Sequence, residues 1–479
     1  MFHWRPKILI PGLGLSLSME LAPYLGFSVP YVFKFSVFCA AVVMVAWPGL
    51  AWLEDKFYEQ GATKRRMIAL IGMLVCVVGF VYFGSSLLGF LRARNPASVN
   101  AAVSEDSVAR LSALGWTIKP DPKNTTFQIS GAALPDMEQS AVYFKNYAKP
   151  FNVQLQNVPS LSGLDSLSGL NNCTGIQISA GDFTDISELS GFTHLQSLEM
   201  SQIPLNGTAV VDLTPLRGLI DLTNLNLSMV RTRTIAPIAG LINIKSLYLA
   251  NTLITDISVL SGLSKIESLN ISSTRVRNLA PIANDRHLSA LTIGAMQAPA
   301  LSDLSRLQNL KTLLIIDQIP INLRAVANLR NLETLNVLAG NFPLDLEPIG
   351  MMEQLSSLTI TCMGMPFNIA TQVSHADAIG NLHDLKSLTL GGVQVSDLTF
   401  LSSLQKLTSL SLSSVPIISL AFAQNLQYLQ NVSLINIQII DVSPLLSLPA
   451  LSTLTVGRVP ARSDVISELQ RRGVIVTSF

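Results

Sequence analysis

Charge is scarce in this 479-residue chain: Asp, Glu, Lys and Arg make up only 13% of it, and the formal net charge is +1. So even a balance gives a polyanion no electrostatic hold, and nucleic acid is excluded as the expected partner. Disorder is excluded from the other side, because 49% of the residues are hydrophobic. Histidine is equally sparse, with five in the whole chain. There is no His-Glu-x-x-His, no phosphate-binding glycine loop, no paired-cysteine metal spacing and no serine on a strand-turn-helix elbow near a histidine. The nearest cluster, His375, Asp377, His383 and Asp384, lacks a third converging ligand. The sequence therefore offers no catalytic residue, no cofactor-binding residue and no metal ligand, and the chain reads as a non-enzyme.

Long apolar runs, by contrast, are present. Residues 31–53 and 67–91 are each long enough to cross about 30 Å of hydrocarbon as a helix. Lys34 lies near one end of the first, where its stem can reach the headgroups, and Trp47 and Trp52 towards the other, where indoles favour the interface. The loop between the runs holds Lys56, Lys64, Arg65 and Arg66, against Arg5 and Lys7 before them and Arg92, Arg94 and Arg110 after. The positive-inside rule puts that loop in the cytoplasm and everything after residue 92 on the extracytoplasmic side. Residues 1–30 are apolar but broken by Pro11, Gly12, Gly14 and Pro23, which suits an interfacial or partner-contacting segment. Glu20, Pro23 and the lack of an Ala-x-Ala site weaken a cleaved secretory signal there. Cys39 and Cys76 sit in the apolar runs as small apolar residues.

The rest of the chain is periodic. An apolar-x-apolar pair begins at Ile176, Leu198, Leu225, Leu247, Leu269, Leu291, Leu313, Leu335, Leu358, Leu388, Leu410, Val432 and Leu454, and ten of the twelve intervals are 22 or 23 residues. A fixed period of this length means a solenoid whose units each supply one strand and bury it only against their neighbours. Cys173 and Cys362 lie eight such steps apart. At about 4.8 Å per step they are roughly 38 Å from each other, so both are expected as free thiols.

The unit LYLANTLITDI (247–257), with LNISSTRVRNL (269–279), LTLGGVQVSDL (388–398) and VSLINIQIIDV (432–442), resembles the 22-residue leucine-rich repeat of bacterial internalin-type proteins. The resemblance covers about residues 153–462. It implies an α/β solenoid of bacterial type, with a parallel sheet on the concave face and short 3-10 or α turns on the convex face. One departure stands out. Where the family stacks asparagines five residues after the first leucine, this chain has Val230, Thr252, Thr274, Met296, Gln318, Gly340, Val393, Val415, Ile437 and Val459. Its loop backbones must be satisfied by threonine hydroxyls, water or backbone turns instead.

The organisation expected is an apolar segment over 1–30, two transmembrane helices with a short basic loop over 31–92, a linker and α/β cap over 93–150, the solenoid over 151–462 and a C-terminal cap over 463–479. Extra residues fall near Asn206–Val211 and Pro366–Ala376, where insertions map to one side of a solenoid.

Residues beside the strand leucines face the concavity. They are nearly all Ser, Thr, Asn or Gly, while charges gather one position earlier at Lys245, Glu267, Lys311, Glu333 and Lys386. Side chains that could grip a partner are few: Glu199, Asn226, Tyr248, Asn270, Leu314, Ile316, Asn336 and Leu338. Together these features read as a membrane-anchored recognition or scaffold protein, an accessory subunit of a membrane or cell-envelope complex, whose partner is a protein and which touches the bilayer through 31–53 and 67–91. The alternative is a sensor-effector whose solenoid binds a ligand while its membrane helices oligomerise or signal. The absence of a central ionisable residue in either apolar run weighs against that alternative.

Overall fold

The structure, a computed structural model, describes residues 105–478 except 121–123, 132, 148, 205–207, 295–300, 318–321, 341, 363–370, 440 and 460–462. The chain divides into a unit over 1–98 and a unit over 99–479, and all the described residues belong to the second. The two apolar runs expected to span a bilayer lie outside the described residues. Among the described residues, no helix is long and apolar enough to cross a membrane.

One repeat shows how the sequence makes the coil. Leu247 and Leu249 point inward from a short strand and are fully buried, while Tyr248 between them is half-buried on the other face. Ile254, Ile257, Leu260, Leu263 and Ile266 then recur at every third residue, all 3% exposed or less. A spacing of three matches the three residues per turn of a 3-10 helix, and such a turn runs over Ser258–Gly262. Asp256 accepts the Ser258 N–H at 2.8 Å and starts that turn. Asp185, Asp212, Asp397 and Asp441 do the same in their own repeats.

Stacking follows from register. Leu225, Leu247, Leu269, Leu291, Leu313, Leu335, Leu358, Leu388, Leu410, Val432 and Leu454 are cross-strand partners in turn. The leucine column is unbroken even across the 30-residue interval. Each buried leucine contributes about 2 kcal/mol. Among the described residues the sheet has 17 strands. Three short strands, Leu344–Asp345, Thr371–Ser374 and Val393–Gln394, form a second sheet, and the middle one comes from the longer insertion.

The backbone takes over the role of the missing asparagines. Four residues after the first leucine position the chain turns through a left-handed residue: Asn157, Ala180, Met229, Asn251, Ser273, Gly392, Ser414 and Asn436 all have φ between 53° and 64°. Each donates its N–H to a carbonyl of the next repeat, for example Met229 to Ala250 at 2.8 Å, Asn251 to Ser272 at 2.9 Å and Asn436 to Gly457 at 2.7 Å. A left-handed residue other than glycine costs roughly 1–2 kcal/mol, and a hydrogen bond that would otherwise be a buried orphan offsets it. Threonine hydroxyls finish the corner in two repeats. Thr252 donates to the Leu249 carbonyl at 2.8 Å and Thr274 to that of Ile271 at 2.7 Å, both buried.

Both ends are covered. Helix α1 (Glu105–Ala113) precedes strands β1 (Thr117–Lys119) and β2 (Thr125–Ser130), which are antiparallel. Helix α2 (Met137–Lys145), capped by Asp136, leads to β3 (Phe151–Gln156), which lies parallel to β2 and to β4 (Cys173–Ser179). Among the described residues, aromatics are densest here. Phe144 stacks on Phe151 at 4.6 Å, and Trp116, Phe127 and Tyr147 meet them edge-on. Trp116 Nε1 donates to Ser140 Oγ at 3.0 Å and the Tyr147 hydroxyl to Thr125 Oγ1 at 2.6 Å. At the other end, α3 (Ser463–Arg471) turns at Gly473 into Ile475–Ser478, a last strand parallel to Thr453–Gly457. Cys173 and Cys362 are free thiols, and burial pushes the Cys173 thiol up to about 12.

Removing either buried hydroxyl strands a carbonyl that water cannot reach. Thr252→Val and Thr274→Val are each expected to cost about 1–2 kcal/mol in urea unfolding; unchanged stability in both would show that the corner does not depend on them.

Candidate functional site

The candidate surface is the outward side of the sheet, where one residue per strand lies between two inward-pointing leucines. Partner register places Gln128, Gln154, Gln177, Glu199, Asn226, Tyr248, Asn270, Thr292, Leu314, Asn336, Thr359, Thr389, Ser411, Ser433 and Thr455 on successive rungs of a single column. Rungs repeat at about 4.8 Å. The column grades from amides near the N-terminal end to hydroxyls near the C-terminal end, with Glu199 as its charge and Tyr248 and Leu314 as its large apolar members.

Six of the eight candidate residues present surface there. Glu199, Asn226, Tyr248, Leu314, Asn336 and Leu338 are half-buried. The other two are closed off. Asn270 is 4% exposed, folded back so that its Oδ1 accepts the Ser272 N–H at 3.0 Å and the Ser272 hydroxyl at 2.8 Å. Asn226 makes the same turn with the Ser228 N–H at 2.9 Å but keeps part of its surface. Ile316 is 5% exposed. It pairs in register with Gly294 on one side and Leu338 on the other. The apolar spot is thus Leu314 and Leu338, with Ile316 filling the floor between them.

Gln128 and Gln154 are not found by the 22-residue period, because their strands precede the first regular repeat. A signal was available: the triplets Phe127-Gln128-Ile129, Val153-Gln154-Leu155 and Ile176-Gln177-Ile178 repeat one apolar-Gln-apolar pattern. Gln128 Nε2 lies 3.5 Å from Gln156 Oε1, so the amides of neighbouring rungs already touch.

Four of the five lateral charges compensate one another. Lys245 pairs with Glu267 at 3.0 Å and Lys311 with Glu333 at 2.9 Å, and Lys406 pairs with Asp384. The histidine cluster does not converge. His375, itself left-handed with φ 55°, puts Nδ1 2.8 Å from Asp345 Oδ1, while His383 and Asp377 are exposed on the following turn. Among the described residues no three His, Cys, Asp or Glu side chains are placed to hold a metal ion. The hydrogen bond it donates to the Asp345 carboxylate holds the His375 imidazole above its ordinary 6.5, and the same contact holds the Asp345 carboxyl below the usual carboxylate range.

The fold has known counterparts. An internalin (inlF) of Listeria monocytogenes is similar at 24% identity and a TM-score of 0.50, over 76% of this chain and 98% of that one. A leucine-rich-repeat protein of Leptospira interrogans is similar at 18% identity and a TM-score of 0.51, over 72% and 92%. These likenesses establish the fold, a leucine-rich-repeat solenoid with a long parallel sheet and short 3-10 turns. No protein-family model and no curated protein matches the chain.

The His375–Asp345 pair has a testable pH signature. A folded-state His375 pKa above 6.5 makes the pair's contribution full at lower pH and lost as pH rises through that value. The lowered Asp345 value removes it again as pH falls through the acid range. By NMR, His375 is expected to titrate above 6.5 and to return towards it in Asp345→Asn; an unchanged midpoint would contradict the contact.

Proposed function

We propose that this chain is a membrane-anchored, non-enzymatic recognition or scaffold protein, an accessory subunit of a bacterial membrane or cell-envelope complex. The solenoid is displayed on the extracytoplasmic side and the partner is a protein. One observation carries the recognition reading: a parallel sheet holds a column of largely half-buried, almost uncharged side chains in fixed register, with Tyr248 and Leu314 as its large apolar members and Leu338 beside it. Interface hot spots favour Trp, Tyr and Arg near the centre of the contact, and Tyr248 supplies such an anchor. The anchoring reading rests on residues 31–53 and 67–91 and on the basic loop between them.

Crosslinking with mass spectrometry from native membranes tests the assignment. A stoichiometric protein partner linked to the solenoid is the expected outcome; self-links alone would favour the sensor-effector. Tyr248→Ala and Leu314→Ala are each expected to weaken that partner's binding by about 1–2 kcal/mol, roughly tenfold, without loss of folding. Labelling of a single introduced surface cysteine in intact cells checks sidedness, and protection of the solenoid would overturn the extracytoplasmic placement.

A further inference from the structure

A second surface lies round the corner from the concave face. After the left-handed turn the chain stays extended for several residues with strictly alternating burial. In three successive repeats Val230 and Thr232, Thr252 and Ile254, and Thr274 and Val276 point inward and are 3% exposed or less. The residues between and after them point out: Arg231 and Arg233, Leu253 and Thr255, Arg275 and Arg277. Backbone bonds keep these rungs aligned, Leu253 N–H to the Thr232 carbonyl at 3.0 Å and Arg275 N–H to that of Ile254 at 2.9 Å. The result is two arginine pairs on alternate rungs. The members of a pair are roughly 7 Å apart along the chain and the pairs roughly 10 Å apart along the solenoid, with Leu253 between them.

These arginines differ from the other lateral charges. Lys245 and Lys311 of the opposite corner are matched by carboxylates at salt-bridge distance. Arg233, Arg275 and Arg277 have no carboxylate partner among the described residues. Asp256 lies on the rung between the pairs, but its carboxylate is engaged by the Ser258 N–H and hydroxyl. Arg231 is positioned by the first insertion: its Nε donates to the Thr208 carbonyl at 2.8 Å, and the Val211 N–H returns to the Arg231 carbonyl at 2.9 Å. The insertion thus holds one guanidinium in place through Nε, while its terminal nitrogens make no hydrogen bond among the described residues. In a chain of net charge +1, four grouped arginines outweigh the one carboxylate beside them, Asp256, and form a positive local field, and guanidinium is the side chain suited to a two-pronged grip on oxyanions.

We propose that the edge carrying Arg231, Arg233, Arg275 and Arg277 docks an extended acidic segment of the protein partner, an inference that rests on the partner being a protein. The spacing selects the conformation. In a polyproline II strand every third residue returns to the same side after about 9.3 Å, close to the two-rung separation of the arginine pairs. Carboxylates three residues apart therefore face both pairs at once, and the backbone between them passes over Leu253.

The test uses the full-length protein and two labelled peptides, one of repeated Glu-Pro-Pro triplets and one of Gln-Pro-Pro, read by fluorescence anisotropy. The triple variant Arg233→Gln/Arg275→Gln/Arg277→Gln changes only exposed side chains without carboxylate partners among the described residues, and its thermal midpoint should match the wild type. Expected are binding of the Glu peptide alone, weakening with added salt, and about a tenfold loss in the triple variant. A Lys245→Gln/Lys311→Gln control on the opposite corner should bind as the wild type does. Equal binding of both peptides, equal binding by the triple variant, or no binding at all overturns the proposal. So does binding of inorganic phosphate or phosphatidylglycerol vesicles that the triple variant loses while the Glu peptide is ignored. If a native partner is recovered equally by wild type and triple variant, protein recognition stands and this edge has no part in it.

Discussion

Every feature of this molecule depends on backbone hydrogen bonds that pass from one repeat to the next. A single rung of three to seven strand residues cannot bury its leucines or pair its own N–H and C=O groups; both are satisfied only by a neighbour on each side. The left-handed residue after each strand extends that ladder around the corner, carrying the pairing from the concave sheet into the extended stretch beyond it. Stability is then a sum over neighbours. Ends are the weak points, which explains why, among the described residues, aromatic bulk is concentrated under β2, β3 and α2 and why a helix and a strand close the other end.

Because the ladder fixes register, surface chemistry reduces to columns. The central column changes gradually from glutamine to threonine and serine, and its hydroxyls and amides hold few charges to steer an approach. The corner column is different: two rungs carry arginine pairs and the rung between carries Leu253 and Thr255. One insertion adds its loop beside Arg231, and the other adds the middle strand of the small second sheet, next to His375 and Asp345. Irregular repeats thus lie where side chains receive specific hydrogen bonds, while the regular repeats supply spacing.

Much of the coil was legible in the sequence, since leucines at fixed intervals have one economical packing. The 3-10 turns were legible too, in the run of apolar residues at every third position from Ile254 to Ile266. The replacement for the asparagine ladder was only half visible. Thr252 and Thr274 advertise their hydroxyls, but the left-handed position holds Asn, Ala, Met, Ser and Gly in different repeats and so has no residue signature; geometry alone marks it. Exposure of the site residues was legible by column and not by residue. Asn270 and Ile316 have the outward parity of Tyr248 and Leu314, yet one turns back on Ser272 and the other sits on the floor between Leu314 and Leu338. Gln128 and Gln154 escaped because their strands precede Ile176, where the counted pairs begin, although Val153 already keeps the spacing.

Hydrogen exchange at the corner amides tests the dependence on this ladder most directly. If the backbone of each left-handed residue is bonded to the next repeat, the amides of Met229, Asn251, Ser273 and Asn436 should exchange as slowly as the strand amides beside them, with protection falling towards both ends of the solenoid. Exchange of those amides at the rate of open loops, while the strands stay protected, would contradict the account.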